Sequence, residues 1–126
     1  MKVTCGTDIV EIDRIKKLID ENKIDFIDRV YSENEIEYCE SKHVVKYQHY
    51  AARFAAKEAI FKAISANLDY KYEISWKDVE IINDERGRPH VRFINKEING
   101  LESIDISISH CKKYAVANTT AVWFGA

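Results

Sequence analysis

Proline occurs once in this chain of 126 residues, at Pro89, and glycine only four times. Backbone punctuation is therefore sparse, and no linker, repeat or low-complexity tract marks a point where a second domain would begin. The length suits one compact domain over 1–126 and is too short for two well-buried cores. Cysteine is scarce as well. Cys5, Cys39 and Cys111 are odd in number and share no metal-ligand spacing. That argues against a disulfide framework or a zinc site, and predicts buried or partly buried thiols in a reducing compartment. Cys111, directly after His110, is the thiol with a prospect of exposure. No charge sign dominates: a net charge of −2 gives neither nucleic acid nor an anionic membrane an electrostatic reason to bind. Long apolar runs are missing too. The longest uncharged stretch, 114–126, contains Asn118, Thr119 and Thr120, and Asp8, Glu11 and Asp13 interrupt the N-terminal stretch that a signal peptide would need. The expectation is a cytoplasmic protein.

What is present has clear periodicity. Residues 3–10 alternate as a strand, with Val3, Cys5, Thr7 and Ile9 on one face and Thr4, Gly6, Asp8 and Val10 on the other. Helical spacing follows through Ile12, Ile15 and Ile19, and a second short helix is predicted over 25–30. Ser32 with Glu35 is a capping-box pattern that opens a helix carrying Ile36 and Cys39. A long helix is predicted over 45–66, where Tyr47, Tyr50, Ala51, Phe54, Ala55, Phe61 and Ile64 supply an apolar surface and alanines raise helix propensity. Strands at 78–82 and 90–94 flank turn chemistry at 84–89 and read as a hairpin. Ile104, Ile106 and Ile108 alternate with Asp105, Ser107 and Ser109 in a strand ending at His110, and 114–124 closes the chain as another. Helices first and strands later predict an α+β domain, with a mostly antiparallel sheet packed on one long helix and shorter N-terminal helices.

Several polar residues have both an ordinary structural reading and a chemical one. Asp8 interrupts a strand of apolar and small residues; it is either a strand-edge carboxylate or a ligand. Glu58 lies four residues before Lys62, the spacing of a surface ion pair worth only ~0.3–0.5 kcal/mol. The apolar neighbours Phe54, Ala55, Ala59, Ile60 and Phe61 argue instead for a partly covered carboxylate. Ser107, Ser109 and His110 close a strand, but neighbouring strand side chains point apart, and the chain has no Gly-x-Ser-x-Gly elbow, so a serine-hydrolase site does not assemble. Arg86-Gly87-Arg88-Pro89 reads as a hairpin turn whose arginines could also meet a phosphate. The usual nucleotide cradles, Walker A and Gly-x-Gly-x-x-Gly, are absent.

The order of these segments resembles the holo-acyl-carrier-protein synthases, the short trimeric type of the 4′-phosphopantetheinyl transferase family. Gly6-Thr7-Asp8-Ile9-Val10-Glu11-Ile12 resembles their first signature. Arg53-Phe54-Ala55-Ala56-Lys57-Glu58-Ala59-Ile60-Phe61-Lys62-Ala63 resembles the second and most specific one. Gly87-Arg88-Pro89 matches a Gly-x-Pro turn, and Ser107-Ile108-Ser109-His110 before Tyr114-Ala115 a closing Ser-x-Ser-His. Two segments depart from the pattern: 65–72 lacks the usual glycines, and 95–103 is short, so a loop or one helical turn is expected there.

The resemblance implies that 4′-phosphopantetheine passes from coenzyme A to a serine of an apo acyl carrier protein, releasing adenosine 3′,5′-bisphosphate, in support of fatty acid biosynthesis. It implies Mg²⁺ held by Asp8 and Glu58, a cation that accepts one or two carboxylates alongside phosphate oxygens and water. It places Lys62 at the phosphates, and Arg53, Gly87, Arg88, Pro89, Ser109 and His110 against coenzyme A. Either a water on the cation or His110 would take the serine proton. Arg14, with Lys17 beside it, would dock the acidic carrier protein, and the assembly would be a homotrimer. A non-catalytic module that binds nucleotide or carrier protein is the alternative.

Overall fold

The computed structural model describes residues 1–68 and 73–125. Strand β1 (Lys2–Glu11) runs directly into helix α1 (Ile12–Glu21), followed by α2 (Lys23–Val30), α3 (Glu33–Glu40) and the long α4 (Lys46–Ile64). The second half holds β2 (Val79–Asn83), β3 (Pro89–Phe93), β4 (Leu101–His110) and β5 (Tyr114–Trp123). One sheet has the order β1-β5-β4 and the other is the β2-β3 hairpin, every pairing antiparallel. The architecture is α+β, as the segment order predicts. Residues 95–100 form the expected loop, with positive φ at Asn95 and Gly100, and β4 begins immediately after it. Of the glycine-free segment 65–72, Ser65–Asn67 is one 3-10 turn and 69–72 lie outside the described residues.

Helix α4 covers one face of the three-stranded sheet and carries two different apolar faces. Small residues Ala52, Ala55, Ala56, Ala59 and Ala63 are buried, and the inward set of the sheet is Val10, Ala115, Ala117, Thr119, Ala121 and Ile106. The aromatics predicted to share one surface with these alanines turn away from the sheet. Phe54 stacks on Trp76 with ring centroids 5.1 Å apart, Phe61 meets the same indole edge-on, and Phe26 lies 5.9 Å from Phe54. A helix apolar nearly all round is one packed on both sides. The alanines let it approach β1 so closely that Gly6 lies against the Ala59 carbonyl with no room for a Cβ.

The opposite side of α4 is pinned by a buried ion pair. Lys57 Nζ donates to Glu35 Oε1 at 2.7 Å, to the Val30 carbonyl at 2.6 Å and to the Trp76 carbonyl at 3.1 Å, and both charged side chains have no exposed surface. Glu35 also completes the predicted capping box with Ser32 and accepts the Ile81 N–H. Burial pulls the Lys57 ammonium below its ordinary pKa while Glu35 opposes that shift. Breaking such a pair leaves a buried carboxylate uncompensated, which costs about 3–5 kcal/mol. We expect Lys57→Met to lose that much in urea denaturation and Lys57→Met/Glu35→Met to recover a large part. Equal stability of the single variant and wild type would disprove the pinning role.

Among the described residues no helix covers the other face of the three-stranded sheet. Paired residues share a face in an antiparallel ladder, so Val3, Cys5, Thr7 and Ile9 lie alongside Val116, Asn118, Thr120 and Val122, with Asp105, Ser107 and Ser109 beyond. Val3 is 53% exposed and Ile9 64%. Cys5 belongs to this face and is exposed, contrary to the expectation of a covered thiol; strand alternation sends it away from α4. Cys39 is buried as expected, its thiol pushed up to about 12 by burial, and Cys111 is exposed.

Candidate active site

Strand β1 is the edge strand beside α4, and its inward alternation turns Asp8 towards the helix. The Gly6 contact two residues earlier sets the distance between the two backbones. Glu58 occupies the flank of α4 that overhangs this edge. Its carboxyl is raised above the ordinary range, first by burial and then by the negative charge of Asp8, with Lys62 partly offsetting both. The two acids thus share one electrostatic environment although 50 residues separate them in sequence. Lys62, one turn beyond Glu58, does not form the simple helical ion pair its spacing suggests. Its ammonium donates to the Thr7 carbonyl at 2.9 Å and to Asp8 Oδ1 at 3.2 Å. The Lys62 side chain is 51% exposed and that of Asp8 18%, so the lysine is the outer member and the aspartate the sheltered one. Two oxygen-ligand acids, one of them partly desolvated and both facing a single lysine, leave excess negative charge at a half-covered rim. That donor set fits a hard divalent cation whose remaining positions go to water and phosphate oxygens.

The sequence model of the 4′-phosphopantetheinyl transferase superfamily matches residues 4–119. The chain belongs to this family. It is 45% identical over 122 residues to the holo-[acyl-carrier-protein] synthase of Ruminiclostridium cellulolyticum, covering 93% of this chain and 90% of that one. The holo-(acyl-carrier-protein) synthase of Bacillus anthracis, solved in complex with coenzyme A (3′,5′-ADP), superposes with a TM-score of 0.76 at 34% identity, with 94% of each chain covered. The Helicobacter pylori enzyme, solved in complex with coenzyme A, gives 0.80 at 32% identity, covering 94% of this chain and 99% of that one.

In this transferase the remaining predicted residues gather elsewhere. Arg53 precedes Glu58 by five positions, which turns the two about 140° apart around α4. Its buried guanidinium covers the Tyr38 ring at 4.0 Å and reaches Asn83 Oδ1 at 3.5 Å, and its Nε has no hydrogen-bond partner among the described residues. His110, at the end of β4, meets His49 of α4 with ring centroids 5.4 Å apart. The turn Gly87 to Pro89 closes the β2-β3 hairpin and, with His90, walls a groove of about 910 Å³ against β4 and β5. Ser107 also lines this groove, whereas Ser109 lies farther along the uncovered sheet face. Asp8 and Ile108 stand two strands apart, and ordinary strand spacing sets His110 roughly 12 Å from Asp8. One chain therefore separates a candidate carboxylate half-site (Asp8, Glu58, Lys62) from the candidate basic half (Arg53, His110 and the 87–89 turn).

Sequence reasoning missed His49, whose only signal is its place four residues before Arg53, the spacing that puts both on one side of a helix. Burial, followed by the positive charges of His110, Lys42 and Arg53, holds its pKa down to about 4. The imidazole is neutral in the folded chain at pH values where an unfolded one, near 6.5, is half charged. Stability linked to His49 is therefore complete above about pH 6.5 and is lost as the pH falls towards 4. His49→Gln should remove this part of the acid sensitivity. The check compares urea midpoints of the two proteins between these pH values; curves that run parallel would contradict the assigned cause.

Arg14 and Lys17 project from α1, whose buried side is Ile12, Ile15 and Ile19. Lys16 is drawn over the Tyr47 ring at 5.5 Å, which leaves Arg14 and Lys17 as the outward cations. Since α1 starts one residue after β1 ends, this basic surface begins beside the carboxylate half-site.

Proposed function

We propose that this transferase moves 4′-phosphopantetheine from coenzyme A to a serine hydroxyl of an apo acyl carrier protein, yielding the holo carrier and adenosine 3′,5′-bisphosphate. The observation that carries this reading is the convergence of Asp8 and Glu58, with Lys62 in reach, in a chain of this family. The product fits a role in fatty acid biosynthesis, and the reaction a cytoplasmic setting. Among the described residues no helix is long and apolar enough to cross a membrane.

In this reading Asp8 and Glu58 would hold Mg²⁺, and the cation would supply charge neutralisation and orientation of the pyrophosphate. The serine oxygen attacks the β-phosphorus, the bond to the adenosine bisphosphate breaks, and the serine proton leaves to a base. Lys62 swings from Asp8 to the phosphate oxygens, where a point charge on a flexible stem stabilises the departing group. Arg53 and His110, with Ser109 and the Gly87-Arg88-Pro89 turn, receive the phosphates and adenine of the donor. Arg14 and Lys17 face the acidic carrier protein.

In this reading a neighbouring copy supplies the basic half to each donor. The uncovered sheet face with Val3, Ile9, Tyr114 and Val116 exposed supports burial against further copies, and a closed homotrimer places a carboxylate half beside a basic half at each boundary. His110 from an adjacent copy, rather than from the same chain, then approaches the serine.

Incubating apo carrier protein with coenzyme A and Mg²⁺ should add the mass of one phosphopantetheine, and chelation of the metal should stop it. Coenzyme A binding without that gain would leave a binding module, and adenosine bisphosphate released without any acceptor protein would make the chain a hydrolase. Mixing inactive Asp8→Ala with inactive His110→Ala should restore part of the activity when subunits exchange. No recovery in a mixed assembly would exclude shared sites.

A further inference from the structure

At the tip of the β2-β3 hairpin, Asp84 spends its whole carboxylate on the turn that follows it. Oδ1 accepts the N–H groups of Arg86 at 2.8 Å and Arg88 at 2.9 Å, and Oδ2 lies 2.8 Å from His90 Nε2. The backbone closes the same loop. Gly87 N–H donates to the Asp84 carbonyl at 2.9 Å, and Asp84 N–H donates to the Arg88 carbonyl at 2.9 Å. Gly87 has φ +81°, the left-handed conformation that lets the chain fold back towards the carboxylate. The hydrogen bonds from His90 and from the Arg88 and Arg86 N–H groups hold the Asp84 carboxyl below its ordinary range.

An aspartate closing its own turn is common on protein surfaces. Two features set this one apart. The turn it holds is a wall of the groove of about 910 Å³, with Ser107, Asn118 and Thr120 also lining it. The loop also carries two cations, Arg86 and Arg88, both exposed. A carboxylate beside a surface that receives a polyanion opposes binding through its charge. Here its oxygens face two N–H groups and an imidazole, whose hydrogen bonds offset part of that charge although the side chain stays exposed. A loop with an exposed glycine and no internal anchor would have to be ordered by its ligand, and that ordering subtracts directly from affinity.

We propose that Asp84 is a positioning residue for the donor: by fixing the 86–88 backbone it presets the turn against which the nucleotide end of coenzyme A binds. The inference rests on the proposed function, because it assumes that this turn meets the donor. Asp84 touches neither the reacting phosphorus nor the carboxylate half-site, so its removal weakens donor binding and leaves chemistry and carrier docking alone. Asparagine retains a carbonyl oxygen for the Arg86 and Arg88 N–H groups, and so keeps the turn.

The test uses the full chain with coenzyme A, Mg²⁺ and apo carrier protein. Asp84→Ala should raise the KM for coenzyme A about tenfold and change kcat less than about twofold, with the KM for the carrier protein unchanged. Calorimetry with adenosine 3′,5′-bisphosphate as probe should show the same weakening. Asp84→Asn should restore both values to within about threefold of wild type. An unchanged KM for coenzyme A in Asp84→Ala overturns the proposal. So does failure of Asp84→Asn to rescue, or a drop in kcat and melting temperature together, which would mark a merely structural role. If the wild-type chain neither binds the bisphosphate nor transfers from coenzyme A, the proposed function is what fails.

Discussion

Asp8→Ala is expected to yield a folded protein whose transfer rate falls by about 10³-fold or more. The side chain is mostly covered, yet its one direct polar contact among the described residues is the ammonium of Lys62, itself half exposed. Deleting it therefore removes little packing. It also relieves Glu58 of a like charge, so the fold loses nothing from that repulsion. What disappears is one of the two acids proposed to hold the cation. Asp8→Asn separates charge from shape, because the amide fills the same space without the negative charge, and it should be nearly as inactive as alanine. The check is a mass-resolved transfer assay at saturating coenzyme A, paired with thermal melting. Transfer within tenfold of wild type in either variant would remove Asp8 from the chemistry.

Gly6→Ala should have the largest effect on stability relative to its size. A methyl group there runs into the Ala59 carbonyl and also crowds the Ala63 nitrogen, both backbone atoms of a helix held from behind by Lys57. No side chain can rotate to make room. Overpacking usually costs about 1–3 kcal/mol, and a clash with fixed backbone belongs at or above the top of that range. For a domain of this size that lowers the melting temperature by roughly 10–15 °C. Because β1 must move away from α4, Asp8 moves with it, and transfer should fall further than the loss of folded protein explains. A Gly6→Ala protein that melts and turns over like wild type would show that β1 and α4 do not meet this closely.

Much of the fold was legible in the chain. Strict alternation over 3–10 and 104–110 predicted strands that the structure contains, because a half-buried strand must place every second residue inward. The capping box at Ser32 and Glu35 was readable for a similar local reason: both partners lie within one turn. Less legible was the division of labour on α4. Alanines and aromatics share a helical stripe in sequence, and only the sheet on one side and Trp76 on the other separate them. Cys5 was misjudged for a related reason, since alternation shows that two faces exist but not that one stays open. Glu35 reads as a cap and is also the partner of Lys57, 22 residues away, a pairing that no local pattern encodes.

The candidate site divides in the same way. The identities came from short motifs and their resemblance to the family's signatures, with Asp8, Glu58 and Lys62 as acids and cation, Arg53 and His110 as basic groups, and Gly87 to Pro89 as a turn. These are properties of short segments, and short segments are what a sequence displays. Which of them meet was decided by tertiary structure. The Gly6 contact brings Asp8 to Glu58, whereas the 140° offset along α4 sends Arg53 to the other flank with His49 and His110. Distance in space depends on how a helix is rotated against a sheet, and that rotation is set by packing and by a buried ion pair on the side of α4 away from the sheet.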